Sequence, residues 1–123
     1  MSIVTKRIYL PRTADDGYRV LVDRLWPRGV SKASASFDLW LRDIAPSTEL
    51  RRWYGHIVER WPDFQARYRD ELASHVDLLD RLHDLEEEHG RVTLLFAARD
   101  EVHNEAEVIA VVIRERTEAR DPG

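Results

Sequence analysis

Residues 18–29 read YRVLVDRLWPRG, and this stretch joins a buried strand to a turn. Its apolar residues 20–22 favour a pleated surface that is buried in a sheet. Pro27 then removes a backbone donor and Gly29 permits a positive φ, so we expect the chain to leave the sheet just before them. The strand therefore ends by presenting charged and aromatic side chains at an edge of the sheet.

Those side chains are Asp23, Arg24, Trp26 and Arg28. Two guanidinium groups at a sheet edge suit a planar anion such as a carboxylate or phosphate, because their forked donors stay charged at any working pH. An Arg–Asp pair that only holds the loop together is the structural alternative, since such pairs are common. This stretch alone does not decide between the two.

A second apolar run, VTLLFAA at residues 92–98, is too short for a helix and predicts a central strand buried on both faces. If it runs parallel to the strand that contains residues 20–22, then residues 26–29 and 99–103 emerge at the same edge of the sheet. Open α/β sheets bind ligands at that edge. Arg99 and the start of a helix at Asn104 then add donors to that edge. We therefore predict an α/β fold with a mostly parallel sheet flanked by helices, and an anion pocket at its carboxyl edge.

The remaining elements follow from caps and apolar spacing. A first strand is predicted at residues 3–10, followed by a turn, while residues 30–45 fit either a short helix or an extended edge. The predicted helices begin at Pro46–Ser47 and end at Gly55, run from Pro62 to Gly90 as one helix or a pair broken near Ser74, and run from Asn104 to Arg116. Asn104 and Glu107 have the spacing of a capping box, and the acids at residues 86–88 are expected to be a solvated, frayed tip.

The composition predicts one domain over all 123 residues, with 43% hydrophobic residues and no cysteine. Disulfides, thiolate ligands and a cysteine nucleophile are therefore excluded. No leader and no apolar run of membrane length appears, so we expect a cytoplasmic protein without a membrane partner.

The charge is divided unevenly along the chain. Residues 1–60 hold 11 Lys/Arg against 7 Asp/Glu, a balance of +4, while residues 61–123 hold 8 against 16, a balance of −8. All four tryptophans also fall within residues 26–61, which predicts that a ligand is held by the first half. The structural interpretation, favoured for Trp40, Trp53 and Trp61, is that they belong to the core.

The candidate catalytic residues are Asp23, Asp100 and His103, and the candidate ligand-binding residues are Arg24, Trp26, Arg28, Arg99 and Asn104. His56 either joins this site or only interacts favourably with the C-terminal end of a helix. The other histidines, His75, His83 and His89, are expected on the surface. No metal site is predicted, because no HExxH or comparable spacing appears, and no cofactor is predicted.

Three classes of function remain open. In order of preference, they are an enzyme acting on a phosphorylated or carboxylated small molecule or a nucleotide, a non-catalytic binder of such a ligand, and a single-stranded nucleic-acid module. The third would stack bases on Trp26 or Trp53 beside Arg51 and Arg52, but the acidic second half repels phosphates. The sequence leaves open whether the protein is an enzyme, what the ligand is and which oligomer it forms.

Several stretches resemble the YeaO-like branch of the domain-of-unknown-function 488 family: residues 20–30, 40–47, 50–56, 67–72 and 93–104. The resemblance implies a small bacterial α/β protein with no established activity to transfer. Other branches carry a Cys-His-Arg signature after the last strand, where this chain has His103, Asn104 and Glu105, so thiol chemistry does not transfer. A regulator label carried by some relatives finds no support, because no helix-turn-helix pair is evident and the helical half is acidic.

Overall fold

The computed structural model describes residues 2–120, and its centre is a four-stranded parallel sheet with the order β1-β4-β2-β3. The strands are β1 (Ser2–Arg7), β2 (Tyr18–Leu21), β3 (Leu39–Trp40) and β4 (Arg91–Phe96). The helices are α1 (Thr48–Tyr54), α2 (Trp61–Ala73), α3 (Val76–His89) and α4 (Glu105–Arg120). Short 3-10 turns cover Ala14–Asp16, Arg42–Ile44 and Val58–Arg60.

Strand β4 is the central strand, as its apolar run predicts. Val92 lies opposite Ile3 of β1 on one side and opposite Tyr18 of β2 on the other, both in parallel register. Every residue of β4 after Arg91 is buried. The predicted α/β fold with a parallel sheet is therefore confirmed, and the carboxyl ends of β1, β2 and β4 share one edge.

The helices cover one face of the sheet, and loops cover the other. Val20, Leu94 and Phe96 point into the main core, to which all four helices contribute apolar side chains. Leu21 and Leu95 point the opposite way, into a smaller cluster completed by Ile8, Phe37 and Trp40. The alternation of side chains along each strand thus divides the sheet between a helical core and a loop-covered core.

One prediction about the first half needs adjustment, and one open choice is resolved. The first strand stops at Arg7 rather than residue 10. Strand β4 lies between β1 and β2 in the sheet. The ambiguous residues 30–45 contain the two-residue strand β3, which pairs with β2, and then the 3-10 turn Arg42–Ile44. Of the tryptophans expected in the core, Trp40, Trp53 and Trp61 are partly buried against it.

The helix boundaries follow the predicted caps. The Ser47 side chain accepts a hydrogen bond from the Leu50 amide at 3.1 Å, and Gly55 ends α1 in the left-handed conformation. The long amphipathic stretch is a pair of helices, α2 and α3, separated at residues 74–75. The last helix continues to Arg120.

Two expectations for α3 were wrong. His83 was expected on the surface, but only 6% of its surface is exposed, because it lies on the buried face of α3. The predicted frayed tip is helical up to His89, and Glu86 is buried although Glu87 and Glu88 are exposed. Gly90, with a positive φ of 81°, ends the helix and donates its amide to Glu86. Across residues 2–120, no helix is both long and apolar enough to cross a membrane.

Candidate functional site

A cavity of about 800 Å³ opens at the carboxyl edge of the sheet. The ends of β1, β2 and β4 contribute to its wall, together with the start of α4 and residues from α1 and the loop after it. Parallel strands bring their carboxyl ends to one edge, so residues far apart in the sequence meet there. The cavity lies where the sequence predicted a pocket.

The structure places almost all predicted site residues around this cavity. Its lining includes Asp23, Arg24, Trp26, Arg28, Arg99, His103 and Asn104. Asp100 is not in the lining, but its carboxylate contacts the His103 ring. His56, left open by the sequence, also lines the cavity. The roles of these residues in binding or catalysis stay predictions.

Three charged residues of the lining were missed: Arg7, Arg51 and Glu105. Arg7 is the last residue of β1. Because the first strand was predicted to continue to residue 10, Arg7 was not expected at the carboxyl edge. Arg51 lies on α1, which the sequence did not connect with the edge of the sheet. Glu105 is the first residue of α4, and no local sequence pattern marks its side chain as part of the cavity.

The cavity lining contains five arginines, and the guanidinium groups of two of them are held by backbone carbonyls. The Arg7 Nε donates to Ala98 O at 3.0 Å, and the Arg24 Nε donates to Pro46 O at 3.2 Å. A second nitrogen of the Arg24 guanidinium donates to Ala45 O at 3.2 Å. These bonds fix the orientation of both groups before any ligand arrives.

The other three arginines have uncommitted guanidinium groups. Within the chain as described from 2 to 120, those of Arg28, Arg51 and Arg99 donate no hydrogen bond to protein. Arg28 is positioned through its backbone instead, since the Tyr9 hydroxyl donates to Arg28 O at 2.9 Å. Each free guanidinium offers a forked set of donors to a ligand in the cavity.

The two acidic residues of the lining form a hydrogen-bonded pair. Asp23 accepts the Ala97 amide at 2.9 Å, and the Glu105 carboxyl donates to Asp23. Burial, followed by this hydrogen bond and the charge of Asp23, holds the pKa of Glu105 well above its usual range. When Glu105 holds its proton, the pair carries one negative charge instead of two.

The loop before α4 is organised by Asp100 and Asn104. The Asp100 carboxylate accepts the amides of Val102 and His103, each at 2.9 Å, and contacts the His103 Nδ1 at 2.8 Å. The His103 amide, then the Val102 amide and the His103 ring, lower the pKa of Asp100 to about 2. His103 also packs edge-on against Trp61, at 5.3 Å between ring centroids.

Asn104 performs the capping role that its position predicted. Its Oδ1 accepts the Glu107 amide at 3.1 Å, and its Nδ2 donates to Asp100 O at 2.9 Å. The second half of the predicted capping box differs, because the Glu107 carboxylate accepts a hydrogen bond from the Thr5 hydroxyl of β1. Both ends of the Asn104 amide are therefore engaged with protein.

Aromatic groups form the remaining wall. Trp26 is 37% exposed and rests edge-on against Phe37 and Trp40, and its indole nitrogen donates to Val30 O. The Tyr54 hydroxyl donates to His103 O at 3.3 Å, and burial, then the charges of Asp100 and Glu105, raise the pKa of Tyr54. No group of three or more His, Cys, Asp or Glu side chains among residues 2–120 is arranged to hold a metal ion.

Comparison with known proteins identifies the family. Residues 2–123 match the family model described as "Inactive DUF488-N3 subclade". The chain is 43% identical over 115 residues to the uncharacterized protein YeaO of Escherichia coli K12, covering 93% of this chain and 98% of that protein. It is 40% identical over 112 residues to the uncharacterized protein Rv3073c of Mycobacterium tuberculosis H37Rv, covering 89% and 92%. No solved structure matches the chain significantly. The chain therefore belongs to the DUF488 family, in the branch that contains YeaO.

Proposed function

We propose that this protein binds an anionic small molecule, carrying a phosphate or carboxylate, in the cavity at the carboxyl edge of its sheet. The observation that carries the proposal is the charge of the lining. Five guanidinium groups face two carboxyl groups, a surplus of four positive charges when the pair holds its proton and of three when it does not. Such a surplus inside a concave site attracts anions.

The size of the cavity supports a ligand larger than an isolated ion. A volume of about 800 Å³ lies within the range of roughly 300–1,000 Å³ typical of sites for small organic molecules. The wall combines fixed cations, Arg7 and Arg24, with the exposed aromatic surface of Trp26. A phosphorylated metabolite or a nucleotide has the matching combination of charge and apolar surface.

The description of the family as inactive favours binding over catalysis. The candidate acid and base groups are also engaged: the His103 Nδ1 with Asp100, and Asp23 with the Ala97 amide and Glu105. Catalysis is the second candidate function, because a proton-sharing carboxyl pair next to cations resembles known acid–base arrangements. If it holds, His103→Gln will abolish turnover of a bound ligand while leaving its affinity and the melting temperature nearly unchanged.

A nucleic-acid module receives less support. Trp53, one of the two proposed stacking residues, has the guanidinium groups of Arg60 and Arg67 over its ring, at 5.4 and 4.3 Å from the centroid. Arg52 lies outside the cavity lining. Weak duplex DNA binding at physiological salt remains our expectation, and submicromolar, sequence-selective binding in a mobility-shift assay would reverse it.

A thermal-shift titration with phosphorylated and carboxylated compounds tests the proposal. A ligand present at one hundred times its Kd should stabilise the fold by about 2.7 kcal/mol. The double variant Arg28→Ala/Arg99→Ala removes two free guanidinium groups from the cavity and should abolish the shift. The matched control Arg52→Ala/Arg81→Ala removes the same charge from exposed positions outside the cavity and should retain it. Equal responses from both double variants would contradict the proposal.

A further inference from the structure

We propose that the Asp23–Glu105 pair makes the cavity select oxyanions that carry a hydroxyl, such as a protonated phosphate group, over oxyanions without one, such as sulfate. This inference rests on the proposed anion-binding function. It concerns which anion the arginines accept, and it assigns the choice to two residues that act as hydrogen-bond acceptors rather than as cations.

The pair is fixed in the wall of the anion cavity. Asp23 follows β2 and is tied at 2.9 Å to the Ala97 amide after β4, while Glu105 is the first residue of α4. Arg24 lies next to Asp23 in the chain and is itself fixed on two carbonyls. Both carboxyl groups line the same cavity as Arg24 and the free guanidinium groups, so an anion held by those arginines shares the cavity with a carboxylate.

The pair retains capacity to accept a further hydrogen bond. A carboxylate has two oxygens and about four lone-pair sites, and Asp23 uses them on the Ala97 amide and on the Glu105 proton. Glu105 donates its own proton to Asp23, so it offers no free hydroxyl to a ligand. What the pair presents to the cavity is negatively charged acceptor oxygen.

The chemistry of the ligand then decides the outcome. A phosphate group keeps a proton in a large share of molecules near its second pKa of about 6, and this hydroxyl can donate to the pair. Sulfate has only acceptor oxygens at that pH. Its oxygens would face carboxylate oxygens with no proton between them, so the contact is repulsive. Size and tetrahedral shape do not distinguish the two anions, which differ in this proton and in the charge that it neutralises. The extra charge of sulfate favours its binding to the arginines, so a preference for phosphate has to come from the hydroxyl.

The experiment is calorimetric titration with inorganic phosphate and with sodium sulfate at about pH 6. The unchanged protein should bind phosphate at least tenfold more tightly than sulfate, which is the difference expected for one charge-assisted hydrogen bond. Asp23→Asn/Glu105→Gln replaces both acidic acceptors by amides of nearly the same shape, and the new amide oxygen at position 23 can still accept the Ala97 amide. This double variant should bind the two anions within about twofold of each other, mainly through a gain in sulfate affinity.

Two further variants separate the charge of Asp23 from other effects. Glu105→Gln keeps a donor to Asp23 and should retain the preference for phosphate. Asp43→Asn removes an exposed carboxylate outside the cavity and should not change the preference. Melting temperatures of all variants establish that each is folded at the titration temperature.

The possible failures are distinct. Equal phosphate and sulfate affinities in the natural sequence would overturn the selection by the pair but leave anion binding intact. A preference that persists in the double variant would also overturn it, because the acceptor would lie elsewhere. Binding of neither anion would count against the proposed function itself, and the inference would fall with it.

Discussion

Arg19 offers the strongest test of how the loop-covered face of the sheet is stabilised. This arginine is fully buried in β2. Its guanidinium donates to Asp16 at 2.5 Å, to Ser36 O at 2.6 Å and to the Ser36 hydroxyl at 3.2 Å. It therefore joins the turn before β2 to the loop before β3, and we predict that Arg19→Met destabilises the protein strongly.

The magnitude follows from what remains after the change. Breaking a buried ion pair by removing one partner costs about 3–5 kcal/mol, because the other charge is left buried. Asp16 keeps Lys6 at 3.0 Å and the amide and hydroxyl of Thr13, so we expect the lower end, about 3 kcal/mol. At about 4 °C per kcal/mol for a chain of this length, the melting temperature should fall by about 12 °C.

Urea denaturation at neutral pH measures the loss, and Arg12→Met provides the matched control. Arg12 also pairs with an aspartate, Asp38, at 3.1 Å, but both side chains are substantially exposed, so its loss should cost less than about 1 kcal/mol. Equal losses for the two variants would refute the argument that burial makes the Arg19 pair decisive.

Three further predictions concern two glycines, the α4 cap and the titration of Glu105. Gly17→Ala should lower the free energy of unfolding by about 2 kcal/mol or more in urea denaturation. Its φ is +62°, and the new Cβ would lie 2.4 Å from the first carbonyl oxygen of β4. Gly29→Ala should cost only about 1 kcal/mol, because its φ is +75° but the space around it is open. Asn104→Ala should cost about 1 kcal/mol through loss of the α4 cap, and an unchanged urea midpoint would contradict that role. The fold raises the pKa of Glu105 above its unfolded value of 4.5, so the resulting stabilisation is complete below about pH 4.5 and is lost as the pH rises. Because glutamine does not titrate, the stability of Glu105→Gln relative to the natural sequence should rise with pH, by about 1.4 kcal/mol per unit of pKa elevation, and parallel pH profiles would contradict this.

The sequence predicted those elements whose signals are local. The apolar run of β4, the Ser47 cap and the glycines that end α1 and α3 each act within a few residues of their position. Strand β3 was not predictable in this way. It has only two residues, and it exists because it pairs with β2.

The candidate site shows the same division. Arg28 and Arg99 were predicted to share an edge because both follow buried strands, and both line the cavity. The contact between Asp23 and Glu105 depends on where α4 begins relative to β2, which tertiary packing decides. Arg51 was missed for a related reason, since the position of α1 beside the sheet edge has no local sequence signal.

A crystal structure of the protein grown in phosphate is the most direct test of the central claim, that the cavity at the carboxyl edge binds anions. We predict density for a phosphate ion within hydrogen-bonding distance of the Arg28 and Arg99 guanidinium groups. The same crystals of Arg28→Ala/Arg99→Ala should lack that density. A cavity without an ion in the natural sequence at saturating phosphate, or Arg28 and Arg99 side chains pointing toward opposite ends of the sheet, would contradict the account.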